Sequence, residues 1–219
     1  MLDIKELFPV PVGIVENENI DQSEHKLLLD AEYRSISGNG TTSFLGSTSQ
    51  HILDKLDIPN TKKFIETALK EYAIRTLCTE EPLRITNSWC IKYQNTPQLL
   101  SQHAHPNSII SIAYYVSASL EQSAGLTLFK QVGYNCGLGS GMPFIMWDQE
   151  SKVIDKYRDS WMYNWQSIPV RTGKLILFPS WMRHTVGGRP AKDVRCALSM
   201  NTWFVNPIGN DAGYTRLSL

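Results

Sequence analysis

The most informative stretch of the chain is HAHPNSIISIAYYV, residues 103–116, in which two histidines lead into an apolar run. In an extended strand, residues two apart point to the same side, so His103 and His105 can contact one ion together. If the run stays extended throughout, the same side also carries Asn107 and Tyr115. The competing interpretation is a chance pair of surface histidines, and this stretch alone does not exclude it.

A third histidine, His184, ends the distant stretch FPSWMRH, residues 178–184. A ligand from a distant strand would complete a three-residue facial site with open positions for substrate and oxygen, as in non-haem iron centres. The other two histidines, His25 and His51, fall in the first third of the chain. We expect both at the surface.

Arg195 begins RCALSMN, residues 195–201, and is the only charged residue of that stretch. An arginine that enters an apolar sheet needs an anionic partner, because an unpaired buried charge is very costly. Its planar fork suits a carboxylate, which it can bind through two parallel hydrogen bonds. The alternative is an ordinary surface ion pair with Asp193 or Glu121.

Around these residues the chain has several short β-rich segments with no helical periodicity between them, which favours a sandwich or jelly roll. These segments are residues 84–93, 108–117, 125–129, 174–178 and 194–204. Residues 20–34 are predicted to be helical, and the Gly-, Ser- and Thr-rich residues 35–49 a loop. A second helix, with Asn60 or Thr61 as its N-cap, carries Phe64, Ala68 and Tyr72 on one apolar face. The predicted class is mainly β with supporting helices (α+β).

The length of 219 residues fits one domain. We expect residues 1–83 to form a helical support and an N-terminal arm, and residues 84–206 the jelly-roll core, with an insertion at 134–166. The insertion is rich in aromatic residues, which would serve as a lid over a site or only as packing. They are Phe144, Trp147, Tyr157, Trp161, Tyr163 and Trp165.

Composition excludes several classes of protein. Lys plus Arg and Asp plus Glu both number 21, and this neutral balance argues against nucleic acid or an anionic membrane as a partner. The four scattered cysteines form no C-x-x-C pair, which argues against zinc-ribbon and thioredoxin-like proteins. The N-terminus lacks the pattern of a signal peptide, so we expect reduced cysteines and a cytoplasmic location.

The combined pattern resembles the iron(II)- and 2-oxoglutarate-dependent dioxygenases, a superfamily with a double-stranded β-helix (jelly-roll) fold. The motifs that carry the resemblance are HAHPNS, AYYV, GKLILFPSW leading to His184, and Arg195 to Asn201. The likeness is strongest to the prolyl-hydroxylase-like branch and to uncharacterised members known from marine bacteria and phages. For a phage-encoded chain, the expected location becomes the host cytoplasm.

This resemblance implies three cofactors and co-substrates: Fe(II), 2-oxoglutarate and O2. It makes His103 and His184 iron ligands and places the far carboxylate of 2-oxoglutarate on Arg195. Tyr115 matches a position whose hydroxyl shares that carboxylate, and Tyr93 matches another tyrosine of the co-substrate pocket. For both tyrosines, plain packing in the β core is the alternative.

The chain departs from the common family pattern at two positions. His105 stands where most members have a carboxylate. It is either the third ligand itself or a neighbour of the third ligand, which would then be Asn107, water or a carboxylate that the sequence pattern does not indicate. Ala197 stands where many members have serine, so Arg195 and Tyr115 would hold more of the co-substrate.

The function that follows is hydroxylation of a substrate, with release of succinate and carbon dioxide. The sequence is compatible with several substrates: a peptidyl side chain such as proline, a protein or a small molecule. Two alternatives remain, a tri-histidine, cupin-like dioxygenase that does not use 2-oxoglutarate, and a non-catalytic jelly roll with a binding or structural role.

Overall fold

The computed structural model describes residues 9–38, 42–93, 100–119, 125–129, 165–186, 194–209, 211–213 and 215–217. The elements in chain order are β1 (Gly13–Glu16), α1 (Gln22–Leu29), β2 (Tyr33–Gly38), β3 (Thr42–Ser47), α2 (Ile52–Lys55), α3 (Pro59–Leu77), β4 (Leu83–Tyr93), β5 (Ile110–Ser117), β6 (Leu126–Phe129), β7 (Trp165–Ile168), β8 (Lys174–Pro179), β9 (His184–Val186) and β10 (Arg195–Phe204). The five strands predicted from the sequence correspond to β4, β5, β6, β8 and β10.

Two antiparallel sheets form the body of the fold. The larger sheet has seven strands in the order β1-β8-β5-β10-β4-β3-β2, and the smaller has three in the order β7-β6-β9. β10 lies between β4 and β5. Apolar side chains of both sheets meet in one cluster, which includes Tyr115 and Phe178 of the larger sheet and Leu126 and Leu128 of the smaller. The prediction of a mainly β protein with supporting helices is confirmed.

The helices cover the outer face of the larger sheet, and β5 shows how its two faces differ. Ile112 and Tyr114 pack with the helices, whereas Ala113 and Tyr115 point into the space between the sheets. A strand that is buried on both faces has a nearly continuous apolar sequence. This explains why residues 109–116 do not alternate between apolar and charged residues. None of the described helices has an apolar stretch long enough to span a bilayer.

Glu24 of α1 holds the N-terminus of α3. Its carboxylate is buried, and its two oxygens accept hydrogen bonds from the backbone N–H groups of Asn60 (2.8 Å) and Thr61 (2.7 Å). A carboxylate at this position satisfies free helix N–H groups and complements the helix dipole. The predicted N-cap was therefore wrong: α3 begins at Pro59, Ile58 makes no side-chain cap, and a neighbouring helix supplies the acceptor instead.

Within residues 35–49, predicted as a loop, residues 35–38 and 42–47 lie in the paired strands β2 and β3. β2 and β3 pair from Tyr33 and Ser47 to Gly38 and Thr42, and β3 extends the larger sheet beside β4. The helix predicted for residues 20–34 ends at Leu29, because the chain turns there into β2. The first third of the chain thus contributes strands β1, β2 and β3 to the sheet as well as its helical support.

His25, expected at the surface, is 3% exposed. Because α1 lies against the larger sheet, this histidine faces β5, and its Nε2 lies 2.8 Å from the hydroxyl of Tyr114. Burial lowers the pKa of His25. His51 is exposed, as predicted.

The predicted insertion at 134–166 lies outside the described residues except for its last two, which begin β7. Of its aromatic residues, only Trp165 is described, and it is half exposed on that strand. The roles of lid and packing therefore stay open, and the single domain over 1–219 stays a prediction.

Candidate metal centre and co-substrate pocket

His103, His105 and His184 come together in space. Each offers one ring nitrogen, and the three nitrogens lie within 4.8 Å of one another. Backbone hydrogen bonds hold them there: His103 and His184 exchange a pair of N–H···O=C bonds of 3.0 and 2.8 Å, and the His105 N–H donates to the Ser180 carbonyl at 3.1 Å. The distant segments predicted to meet at one ion therefore do meet.

The histidine pair does not lie on one continuous strand with Tyr115, as the simplest alternation required. Asn107 has a left-handed backbone (φ 55°) in a turn, and β5 begins only at Ile110. His103 forms an isolated bridge to His184, at the edge of the smaller sheet. Asn107 is exposed, so the structure does not bring it to the histidines.

Each of the three rings has a hydrogen-bond partner at Nδ1. The partners are the Ser101 carbonyl for His103 (2.8 Å), the Met182 carbonyl for His184 (3.1 Å) and the Asn201 side-chain oxygen for His105 (2.7 Å). Oxygen acceptors at Nδ1 place the proton there and leave the Nε2 lone pair available. This tautomer is the one in which a histidine binds a metal through Nε2.

The surroundings keep two of these imidazoles neutral. Burial, aided by the neighbouring His103 and His105, lowers the pKa of His184 to about 3. Burial also lowers the pKa of His105. Neutral imidazole is the form that coordinates metals, so both rings are in the form that binds a metal at neutral pH. Within the described residues, no carboxylate belongs to the cluster.

Arg195, Tyr93 and Tyr115 form a second polar group. Arg195 is 2% exposed, and its Nη2 donates to the Tyr115 hydroxyl at 3.4 Å. The guanidinium carbon lies 5.3 Å from the Tyr93 ring centre and 5.1 Å from that of Tyr115. A buried Arg195 is not the surface side chain of the alternative interpretation. Its two suggested partners, Asp193 and Glu121, lie outside the described residues.

The Tyr93 hydroxyl is buried and has no hydrogen-bond partner among the described residues. Burial raises the pKa of Tyr93 to about 12, although the nearby Arg195 acts in the opposite direction. Burial likewise raises the pKa of Tyr115. Both tyrosines therefore keep their protons at neutral pH and can donate hydrogen bonds. Buried polar groups without a partner are rare in native proteins, and such a group often marks a ligand site.

One cavity of about 240 Å³ joins the two groups, since all three histidines, Arg195 and both tyrosines line it. Much of the remaining wall is apolar: Ile36, Phe44, Trp89, Leu100, Phe178 and Val186. The sequence pattern does not indicate Ile36 and Phe44, because the Gly-, Ser- and Thr-rich residues 35–49 predict a loop. The signal that could have found them is Asn39-Gly40, a dipeptide favoured in hairpin turns, between two runs of strand-forming residues.

A jelly roll with three clustered histidines and a buried arginine in one cavity is an arrangement suited to a metal-dependent oxygenase with an anionic co-substrate. The comparison with known families is more specific. Residues 87–201, just over half of the chain, match a family described as "Putative 2OG-Fe(II) oxygenase". The chain belongs to this 2OG-Fe(II) oxygenase family.

Solved structures support the fold. The α-ketoglutarate-dependent epimerase SnoN from nogalamycin biosynthesis has a TM-score of 0.58 at 12% identity, over 90% of this chain and 79% of SnoN. A prolyl hydroxylase from Trichoplax adhaerens, solved with a peptide fragment of hypoxia-inducible factor, has a TM-score of 0.54 at 15% identity, over 88% and 82% of the two chains. A Pseudomonas putida prolyl-4-hydroxylase has a TM-score of 0.50 at 10% identity, over 89% and 92%.

No curated protein sequence matches the chain. The double-stranded β-helix fold is confirmed. The predicted cofactors and co-substrates, Fe(II), 2-oxoglutarate and O2, are those of the family. The roles of the individual site residues stay predictions, and the geometry above supports them.

Proposed function

We propose that the protein is an iron(II)- and 2-oxoglutarate-dependent hydroxylase that releases succinate and carbon dioxide. In this proposal His103, His105 and His184 hold the iron, and Arg195, Tyr93 and Tyr115 hold the far carboxylate of 2-oxoglutarate. The observation that carries it is the buried Tyr93 hydroxyl, which has no hydrogen-bond partner among the described residues and lies beside Arg195 in the same cavity as the three histidines.

The three histidines fit an iron ion by their chemistry. Their Nδ1 atoms face hydrogen-bond acceptors, which leaves the Nε2 atom of each ring available as a metal ligand. Imidazole nitrogen is a suitable ligand for iron, and ligands from one face leave other positions open. Bound there, iron(II) would supply the activation of dioxygen that drives oxidation of the substrate.

The arginine group fits a dicarboxylate. A guanidinium can hold a carboxylate with two parallel, charge-assisted hydrogen bonds. The protonated Tyr93 and Tyr115 hydroxyls would donate to the same carboxylate. Because the site is buried and partly walled by apolar groups, these bonds are stronger than they would be in water. A dicarboxylate bound through its far end would direct its other end toward the histidines.

The apolar wall supports an uncharged group as the part of the substrate that reacts. Phe44 stacks on Tyr93 with ring centres 5.4 Å apart, and Trp89 contacts His105 with ring centres 5.6 Å apart. A peptidyl side chain, such as proline, fits this environment, and the solved Trichoplax hydroxylase holds a peptide. Fold similarity does not choose the substrate, so small molecules and whole proteins stay within the proposal.

The proposal also includes the branch of the family and the cellular location. It assigns the chain to the prolyl-hydroxylase-like oxygenases, with the strongest likeness to the uncharacterised branch found in marine bacteria and phages. The motifs HAHPNS and GKLILFPSW support this assignment. It places the enzyme in the cytoplasm, or in the host cytoplasm for a phage protein.

One observation favours a second candidate, a tri-histidine dioxygenase that does not use 2-oxoglutarate: no carboxylate joins the described histidine cluster. Incubation with Fe(II), ascorbate, oxygen and labelled 2-oxoglutarate separates the two, with succinate measured by mass spectrometry. We expect slow succinate release without added substrate, and its loss in Arg195→Met. Release that does not depend on Arg195 would contradict the proposed co-substrate site, and the absence of release despite iron binding would favour the second candidate.

A further inference from the structure

His105 is held differently from the other two histidines. His103 and His184 donate from Nδ1 to backbone carbonyls close in sequence. The Nδ1 of His105 instead faces two side chains: the Asn201 oxygen at 2.7 Å and the Ser111 hydroxyl at 3.0 Å. A backbone carbonyl is present whatever the side chain, whereas these two acceptors depend on the residues at positions 201 and 111.

The direction of the neighbouring hydrogen bonds shows which way the proton points. The Ser111 hydroxyl donates to Ser180 (2.9 Å), the Ser180 hydroxyl donates to Ser108 (2.7 Å), and the Ser108 hydroxyl donates to the Ile110 carbonyl (3.2 Å). Each serine thus uses its proton away from His105. The Ser111 oxygen is left as an acceptor for His105, as is the Asn201 oxygen.

Two acceptors at Nδ1 require a donor there, so His105 carries its proton on Nδ1 and presents a bare Nε2 to the cavity. The opposite tautomer would leave these acceptors facing a lone pair and would direct an N–H at the metal. Trp89 packs against the ring of His105, with ring centres 5.6 Å apart. The polar network therefore selects the tautomer, and packing restricts the ring position.

We propose that Asn201 is the positioning residue that makes His105 a metal ligand, with the Ser108–Ser180–Ser111 chain as its support. The inference rests on the proposed function, since it requires that a metal bind at the three histidines. Asn201 touches neither metal nor co-substrate in this account and acts only through the His105 ring. Groups that orient metal-bound histidines in this way are generally worth roughly 10- to 100-fold in metal affinity.

Asn201→Leu removes the acceptor at nearly constant volume, and Asn201→Asp retains it. The matched control is Thr202→Val, the next residue along β10. Thr202 is fully buried, and its hydroxyl donates to the Ile110 carbonyl at 2.9 Å, so its loss weakens the sheet without touching His105. His105→Ala serves as the reference for loss of the ligand itself.

Two measurements on the whole protein test the inference. The first is Co(II) affinity and its visible spectrum without 2-oxoglutarate. The second is the His105 tautomer in the metal-free protein, from long-range ¹H–¹⁵N NMR. We expect Asn201→Leu to weaken Co(II) binding roughly 10- to 100-fold and to raise the Nε2–H tautomer. Asn201→Asp should keep the Co(II) affinity and the His105 tautomer of the wild type. Thr202→Val should lower the melting temperature without changing the affinity or the tautomer.

The outcomes separate the two proposals. If His105→Ala weakens Co(II) binding but Asn201→Leu changes neither affinity nor tautomer, the role of Asn201 is wrong and the three-histidine site stands. If neither variant weakens binding, His105 is not a ligand, and both proposals fail at that residue. If the wild-type protein binds no Co(II), the proposed metal site itself is wrong.

Discussion

Tyr114 and Tyr115 are neighbours on β5, yet they serve opposite faces of the same sheet. On the outer face, the Tyr114 hydroxyl lies 2.8 Å from His25 Nε2 and accepts a hydrogen bond from Asn17 at 3.1 Å. On the inner face, Tyr115 meets Arg195 in the cavity with the histidine cluster. Both faces contain buried histidine and tyrosine, so burial and residue type alone do not identify the site.

The two faces differ in whether their buried polar groups have hydrogen-bond partners within the described protein. On the outer face, His25 and Tyr114 satisfy each other and join α1 to the sheet. On the inner face, the Tyr93 hydroxyl has no partner in the described protein, and three imidazole nitrogens converge within 4.8 Å. Buried polar groups that hydrogen-bond to each other stabilise a fold. Buried polar groups that converge without such partners are typical of a ligand-binding site.

Substitution of a histidine should have the largest effect, and the effect should differ between the inner and outer faces of the sheet. His184→Ala should abolish stoichiometric iron binding, because only two of the three clustered ring nitrogens remain. His25→Ala, which removes a buried histidine from the outer face, should lower the melting temperature but leave the iron content unchanged. Iron content after anaerobic reconstitution checks both variants, and full iron binding by His184→Ala would contradict the assignment.

Arg195→Met should raise the 2-oxoglutarate concentration required for binding by roughly 10- to 150-fold. This range corresponds to the loss of charge-assisted hydrogen bonds worth about 1.5–3 kcal/mol. Iron binding should not change, because Arg195 is not part of the three-histidine cluster. Isothermal titration with 2-oxoglutarate under nitrogen measures the effect, and an unchanged affinity would remove Arg195 from the pocket.

Removal of a single tyrosine hydroxyl should affect ligand binding on the inner face and stability on the outer face. Tyr93→Phe should weaken 2-oxoglutarate binding several-fold without loss of stability, because its hydroxyl has no hydrogen-bond partner to lose among the residues that the structure describes. Tyr114→Phe should do the reverse: it leaves His25 and Asn17 without their partner, at a cost of about 1–3 kcal/mol in the free energy of unfolding. Urea unfolding and ligand titration on both variants test this, and equal stability losses would contradict it.

The smallest predicted effect concerns pH. Burial lowers the pKa of His25 in the folded protein, whereas the unfolded chain titrates near about 6.5. Below that pH the unfolded state binds more protons, so His25 reduces stability as the pH falls toward its folded pKa. In the metal-free protein, His25→Gln should flatten the loss of melting temperature between about pH 6.5 and 5. A slope equal to that of the wild type would show that His25 does not contribute.

The three histidines that the structure brings together could be predicted from the sequence, because chemistry limited the choices. Only five histidines exist, and an H-x-H pair with one distant histidine has few interpretations. Ile36 and Phe44 of the apolar wall were not predicted, because these residues lie in a segment rich in glycine and serine. The role of Glu24 as a cap for α3 was also not predictable, since it depends on two helices packing together. Contacts between distant segments decided these cases, and local pattern does not encode them.

The burial of His25 was missed for a similar reason. α1 is short and has only a weak apolar face, so its sequence does not show which side meets the sheet. The position of Asn201 beside His105 likewise depends on the register between β5 and β10, in which Asn201 pairs with Ser111. A one-residue slip in that register would have placed Asn201 on the other face.

The most direct test of the proposed iron and 2-oxoglutarate site is an anaerobic titration of the metal-free protein. Iron(II) is added first and 2-oxoglutarate second, and visible absorption is monitored. We predict a charge-transfer band that appears only when both are present, with one iron and one 2-oxoglutarate per chain. Iron binding without the band would contradict the co-substrate pocket at Arg195, and a failure to bind iron would contradict the three-histidine centre.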